Sequence, residues 1–352
     1  MRKGTRLAIV AISLWTTIGT AAAADLTVEF NEACQRGNLA EILTLVSQGA
    51  NPNASGQSLG YPLSLAIQRD DAQAVRKLLD AGANPNVATK GCGPLVFSFN
   101  SSLVIVRELL KAGANPNCVW ADTGNTGDQS KSTPLMAASA IRALREGEIR
   151  LYRDKPHSIE LPSTNAPSAE DLIRTLIEYG AEPNRQDTFG RTALYYAIDS
   201  DDIAAVRALL DGSLNINIQV VPGTPDTKAS IVRQGSTALL HVLSQNDSIT
   251  PLQGGAIVSL LLERGADPNV RNYGKFYASC EAQLKPNCSL SGETPLTYAA
   301  ERGNDFLAEA LLKHGAKPNE PREDGKMPAQ IASDRGHLET AELIARYSQK
   351  NH

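Results

Sequence analysis

Apolar residues recur along this chain three and four positions apart, in short stretches that end in glycine and proline. Ala74, Val75, Leu78 and Leu79 form one such stripe, the inward face of a helix. Gly82 follows the last turn, where a left-handed residue can cap the orphan carbonyls. Pro85 then forbids further helix, and Asn84 and Asn86 suit a turn. The stretch "LLDAGANPN", Leu78–Asn86, is therefore a helix end followed by a sharp exit. The chain writes it again as "LVSQGANPN" to Asn53, "LLKAGANPN" to Asn117, "LIEYGAEPN" to Asn184, "LLERGADPN" to Asn269 and "LLKHGAKPN" to Asn319, with a weaker copy, "LLDGSLNIN", to Asn217.

After each exit comes a polar stretch and then a helix start. "STPL" at Ser132–Leu135 and "ETPL" at Glu293–Leu296 are the clearest, with "RTAL" at Arg191–Leu194 and "STAL" at Ser236–Leu239 as variants. Thr133 and Thr294 can cap through their hydroxyls, and Pro134 and Pro295 fall at the first helical position, where a missing N–H does no harm. The small residues Ala137, Ala138, Ala299 and Ala300 let two short helices pack closely. "ERGN" at Glu301–Asn304 and "DRGH" at Asp334–His337 make the turn between them.

In order and spacing these segments resemble the ankyrin repeat family, whose unit is two antiparallel helices and a hairpin finger. Marker positions Gly49, Gly82, Gly113, Gly180, Ser213, Gly265 and Gly315 are 33, 31, 67, 33, 52 and 50 residues apart. A step near 33 is one unit; the longer steps are units with extra loop. The resemblance implies an all-α repeat solenoid of eight units, the first starting directly at a helix and the last running from Glu320 to about Ser348. Met327 and Pro328 replace the Thr-Pro pair in that last unit, which predicts a weaker helix start.

Five insertions depart from the repeat: 120–131, 142–169, 220–234, 246–255 and 271–291. Three of them lengthen the fingers of units four, six and seven. Trp120, Tyr273, Phe276 and Tyr277 lie in these fingers, in a chain with 5% aromatic residues, and aromatic anchors are typical of interfaces. Phe189 and Arg191 in the fifth finger join them as candidate partner contacts. The alternatives are packing of each ring against its own hairpin, and loops that are simply tolerated, since lengthening a loop costs little. The family likeness implies a concave face lined by fingers and first helices, and so a protein partner.

The beginning of the chain carries a different signal. Arg2, Lys3 and Arg6 precede a short apolar stretch, Leu7–Ile18, and small residues at Ala21–Ala24, the layout of a cleaved secretory signal over 1–24. A membrane anchor is the rival, but the stretch is short of the roughly 20 residues a span needs. Residues 25–352 would then be a single repeat domain, free of membrane insertion and monomeric when free. In a Gram-negative cell this places it in the periplasm. Loss of three basic residues takes the formal charge from -4 to -7, with no basic footprint for nucleic acid.

Export permits disulfides. Cys280 and Cys288 bracket seven residues of the longest finger, and Cys92 and Cys118 fall in adjacent fingers, so both pairs are expected bridges. Cys34 takes a small helical position and is expected to be a free core thiol. No CxxC or close histidine suggests a metal, and no HExxH, GxSxG, GxGxxG or phosphate-cradling glycine loop occurs. Asp201 and Asp202 fall at an inter-helix turn, where a solvated role is expected over acid–base chemistry. No catalytic residue, cofactor or metal is assigned. Resemblance to exported ankyrin proteins suggests a binding protein whose partner is a toxin, with this chain as its immunity protein, or a resident envelope enzyme; an enzyme built from the insertions and a structural adaptor with several weak partners are the other readings.

Overall fold

The computed structural model describes residues 26–53, 61–87, 92–121, 131–146, 165–220, 235–244, 251–272 and 292–350. They divide into two compact units, 1–120 with 156–175, and 121–155 with 176–352.

The first unit contains α1 (26–36), α2 (Leu39–Ser47), α3 (Tyr61–Gln68), α4 (Ala72–Asp80), α5 (Gly93–Phe97), a single 3-10 turn at Ser98–Asn100, and α6 (Leu103–Lys111). First helices pack on first helices (α3 on α5) and second on second (α2 on α4, α4 on α6). Two of these second helices start on side-chain caps, Asn38 for α2 and Asp71 for α4, each accepting from a backbone N–H three residues on. Val75, Leu78, Ile105 and Leu109 are fully buried between repeats. Each such side chain contributes about 1.5–3 kcal/mol of burial, which no single helix pair could collect alone.

The second unit follows the same plan with α7 (Pro134–Ser139), α8 (Ile141–Glu146), α10 (Ala193–Asp199), α11 (Ile203–Leu210), α12 (Ala238–Ser244), α13 (Pro251–Glu263), α14 (Pro295–Arg302), α15 (Asp305–Lys313), α16 (Pro328–Asp334) and α17 (Leu338–Lys350). Helix α9 (Ala169–Glu178) spans the division between the units. α10 packs on α7 and α12, α14 on α12 and α16, and α15 on α13 and α17. Thr133 caps α7, and Thr294 and Thr297 form a reciprocal capping box on α14. At α16 the missing threonine is replaced by Gln330, whose Oε1 accepts from the Met327 N–H at 3.0 Å.

Two insertions are shorter than their spacing implies. α8 continues through Arg142 to Glu146, because Arg142 donates to the carbonyls of Ser200 and Asp201 at 3.1 and 2.6 Å and Ala143 is buried. α13 begins at Pro251, inside the expected 246–255 turn, with proline at the first helical position. Short strands β1 (Trp120–Ala121) and β2 (Lys131–Ser132) form a ladder across the start and end of the 120–131 insertion.

The recurring exit has a second purpose beyond stopping a helix. Its last asparagine bonds the exit of the following repeat twice. Asn53 Nδ2 donates to the Gly82 carbonyl at 2.8 Å while its Oδ1 accepts from the Asn84 N–H at 2.8 Å. Asn86 does the same with Gly113 and Asn115, at 2.8 and 2.8 Å. In the second unit Asn184 holds Ser213 and Asn215, Asn217 holds Gly265 and Asp267, and Asn269 holds Gly315 and Lys317. The exits form a ladder of side-chain amides.

Candidate interaction surface

The fingers of the second unit share one base, whatever their length. In the fifth, the Asp187 N–H donates to the Arg191 carbonyl at 2.9 Å and the Gly190 N–H to the Asp187 carbonyl at 3.1 Å. In the eighth, Arg322 pairs with Lys326 and Gly325 in the same way, both at 2.9 Å. The sixth closes identically between Val220 and Ser236 with Gly235, and the seventh between Asn272 and Glu293 with Gly292. The chain therefore leaves the repeat after Val220 and after Asn272, and returns to the same two-bond neck. Everything inserted in fingers six and seven is grafted on a fixed stem.

Polar side chains tie the stems together. Gln186 Nε2 donates to the Gly190 carbonyl at 2.7 Å and to the Gln219 carbonyl of the next finger at 3.0 Å. Gln219 Nε2 repeats this toward Gly235 and Arg271, at 3.0 and 3.4 Å. Arg271 Nη2 reaches Glu320 at 2.5 Å. The row of necks from the fifth finger to the eighth is thus continuous.

The fifth neck is built on a buried charge. Asp187, whose side chain is 0% exposed, accepts from the Phe189 and Arg191 N–H groups at 2.8 Å each, from Arg191 Nε at 2.9 Å and from the Tyr196 hydroxyl at 2.7 Å. Arg191 Nη2 donates to the Tyr196 oxygen at 2.7 Å, and its guanidinium lies 4.9 Å from the Phe189 ring and 4.7 Å from the Tyr196 ring. Burial alone would lower the Arg191 pKa; Tyr196 and Asp187 outweigh it and hold it raised. Burial likewise pushes the Tyr196 hydroxyl well up, so it stays a donor.

The seventh neck has a neutral version. Asn272 is buried; its Oδ1 accepts from the Glu293 N–H at 2.7 Å and its Nδ2 donates to the Tyr298 hydroxyl at 3.3 Å. A Cβ on Gly292 would stand 2.1 Å from Asn272 Oδ1 and 2.2 Å from the Asn272 carbonyl oxygen. Gly292→Ala is therefore expected to open this neck at a cost of about 1–3 kcal/mol, with faster hydrogen exchange at Glu293 and not at Arg191. Unchanged exchange at Glu293 would refute the close approach. In the sixth finger Val220 replaces the carboxamide, and His241, at the place of Tyr196 and Tyr298, turns instead to Asp199 Oδ1 at 2.6 Å and packs on the Tyr195 ring.

The eighth finger carries an exposed clamp. Arg322 Nη2 bonds Asp324 Oδ2 at 2.5 Å, and the Lys326 N–H donates to Asp324 Oδ1 at 3.2 Å. The Arg322 bond, aided by that N–H and opposed by partial desolvation, holds the Asp324 carboxyl at about 2, below the usual 3.8. Its pKa is depressed on folding, so its stabilisation is complete above 3.8 and is lost as pH falls toward 2. The carboxyl carbon shift of Asp324 should show that midpoint, and Arg322→Gln should move it up.

Of the residues proposed from sequence, Phe189 is half-buried over Arg191, whose guanidinium is committed to Asp187 and Tyr196 within its own finger. Trp120 contributes backbone to β1. Tyr273, Phe276, Tyr277, Cys280 and Cys288 lie outside the described residues. Cys92 and Cys118 are joined, with Cα atoms 5.5 Å apart. Cys34 is a buried free thiol, and burial raises its pKa. Asp202 caps α11 through the Ala204 and Ala205 N–H groups, and Asp201 takes the left-handed turn at φ 50°, so both have structural roles. Sequence reasoning missed Asp187, Asn272, Tyr196 and Tyr298. The signal was positional: Asp187 and Asn272 stand three residues after the exit asparagine, and each tyrosine four after the threonine that precedes its helix.

Among the described residues no group of three or more His, Cys, Asp or Glu could hold a metal ion, and no helix is long and apolar enough to cross a membrane.

Comparison with known proteins agrees with this architecture. A family model of ankyrin repeats in three copies matches residues 165–272 and 274–352, and a single ankyrin repeat matches 61–90. The mouse B-cell lymphoma 3 protein homolog is 30% identical over 176 residues, covering 50% of this chain and 32% of that protein. Human Rabankyrin-5 is 29% identical over 54% of this chain and 18% of its own length, so the chain spans under a third of both. The ankyrin repeat protein YahD of Escherichia coli K12 is 26% identical over 49% of this chain and 88% of its own. The crystal structure of the Bcl-3 ankyrin repeat domain superposes with a TM-score of 0.55 at 21% identity, over 80% of this chain and 97% of that one. With its helix pairs, its necked fingers and a family match over more than half its length, the chain belongs to the ankyrin repeat family.

Proposed function

We propose that this chain is a non-catalytic, exported binding protein that holds one protein partner through the enlarged fingers of its second unit. Ankyrin repeats are protein-interaction modules, and the observation that carries the assignment further is the constant neck. Fingers six and seven add long segments to a stem that is otherwise the same as in the short fifth and eighth fingers. A rigid stem lowers the entropy lost when its tip docks. Tyr273, Phe276 and Tyr277 are the proposed anchors in that unit, Trp120 is proposed as a further one in the 120–131 insertion, and Phe189 and Arg191 build the fifth finger. The Cys92–Cys118 bridge and the 1–24 segment support an oxidising compartment, the periplasm of a Gram-negative cell.

The partner on this reading is a toxin delivered into that compartment, with the chain as its immunity protein. Crosslinking the tagged chain in its own envelope, with and without the candidate competitor's toxin, tests this. Capture that requires the toxin supports immunity. Capture of a resident enzyme in its absence assigns an accessory role instead, and no specific capture in either arm contradicts partner binding.

A further inference from the structure

Among the described residues the ladder of exit asparagines has one unfilled rung. In every rung described above, one amide side chain takes the same complement from the next repeat. Its Nδ2 donates to the carbonyl of one residue, at 2.8–3.3 Å, and its Oδ1 accepts from the N–H two residues further on, at 2.7–2.9 Å. The residue between is a buried alanine, Ala83, Ala114, Ala266 or Ala316, in all but one case. The exception is Leu214, which is only half-buried, and there the Nδ2 bond is the longest, 3.3 Å to the Ser213 carbonyl. Four of the five rungs thus carry a small residue at the centre.

Asn319 ends a further copy of the exit and, among the described residues, makes no such bond. Its repeat is followed by α16 and α17, and α17 packs on α15 as a second helix should. At Ser348, the position of the marker glycine, α17 does not turn. It stays helical to Lys350, so these residues cannot supply the next rung. In the place of that rung lies a groove of about 540 Å³, lined by Leu312, Ala316, Lys317, Asn319, Glu320 and Tyr347.

We propose that this groove binds an extended peptide segment of a partner protein, with Asn319 reading its backbone as a further rung. The bound segment presents a carbonyl and, two residues on, an N–H, with alanine or glycine between them as in four of the five rungs. Its recognition is by main chain and by small size, the chemistry of the "GAxPN" exits themselves. A folded repeat from a second copy does not fit. In each rung the exit follows directly on its second helix, and that helix position beside α15 is already held by α17. The site is separate from the fingers and extends the proposed function without depending on it.

The probe is a fluorescein-labelled, N-capped and C-amidated copy of Glu263–Asn269, "ERGADPN", titrated into the full chain and followed by anisotropy. Saturable binding is expected, weakened about tenfold or more by Asn319→Ala, which removes two hydrogen bonds. Asn319→Ala should leave the melting temperature unchanged, since its side chain bonds no other described residue; Asn269→Ala, which breaks a filled rung, should lower it. Replacing the probe's alanine by valine should also weaken binding, and a chain with 274–289 shortened should bind the probe as before, which separates this site from the finger partner. No saturation by about 1 mM, a Kd scale of roughly -4 kcal/mol, would overturn the proposal. So would equal affinity for the native chain and Asn319→Ala.

Discussion

Asp187→Ala is expected to destabilise the fifth finger by about 3–5 kcal/mol, among the largest effects of any single polar substitution here. The carboxylate is fully buried and accepts two backbone N–H bonds, one bond from Arg191 and one from Tyr196. Its removal leaves a guanidinium that is 20% exposed, and a buried hydroxyl, with part of their bonding gone. The loss is electrostatic as well as geometric. Asp187→Asn keeps the acceptor for the N–H groups and should cost less, and Tyr196→Phe less again. Hydrogen exchange at the Phe189 and Arg191 amides reads the effect where it occurs. In a repeat array the loss should spread to the neighbouring sixth neck through Gln186, whose amide bridges the two fingers. Exchange that stays as slow as in the native protein would show that the carboxylate is not what holds the neck.

Breaking Cys92–Cys118 comes next in size. The bridge closes a segment with a sequence separation of 26, and the chain-entropy relation gives about 3–4 kcal/mol for such a loop. Cys92→Ala with Cys118→Ala, or reduction of the native protein, should lower the unfolding free energy of the first unit by about that amount and shift its denaturation midpoint down. Cys34 supplies the control. It is buried with a raised pKa, so a thiol reagent should modify the reduced pair before it reaches Cys34. An unchanged midpoint after reduction would mean that the packing of the first unit already fixes this loop without the bond.

Much of the fold was legible in the sequence because it rests on local signals. Gly82 and Pro85 stop a helix wherever they stand, and Thr133, Pro134, Thr294 and Pro295 start one. The Cys92–Cys118 bridge followed from equivalence of finger positions. What was not legible depends on partners far apart in the chain. Asn53, Asn86 and Asn269 read as turn residues, and their real bonds go to the next repeat, 27–48 residues away. The necks of fingers six and seven join Val220 to Ser236 and Asn272 to Glu293 across segments with no periodicity. Arg191 was singled out as a partner contact on residue type alone. Its internal partners, Asp187 and Tyr196, look like a turn aspartate and a core aromatic until the turn folds them together.

The central claim is that the enlarged fingers carry the partner. The most direct measurement is crosslinked capture by the native chain beside a chain with 274–289 shortened, both with the Asn272–Glu293 neck intact. One dominant captured protein, lost on shortening while melting temperature and hydrogen exchange at Glu293 stay unchanged, is the predicted result. Equal capture by the two chains would contradict the claim and move the interface away from the seventh finger.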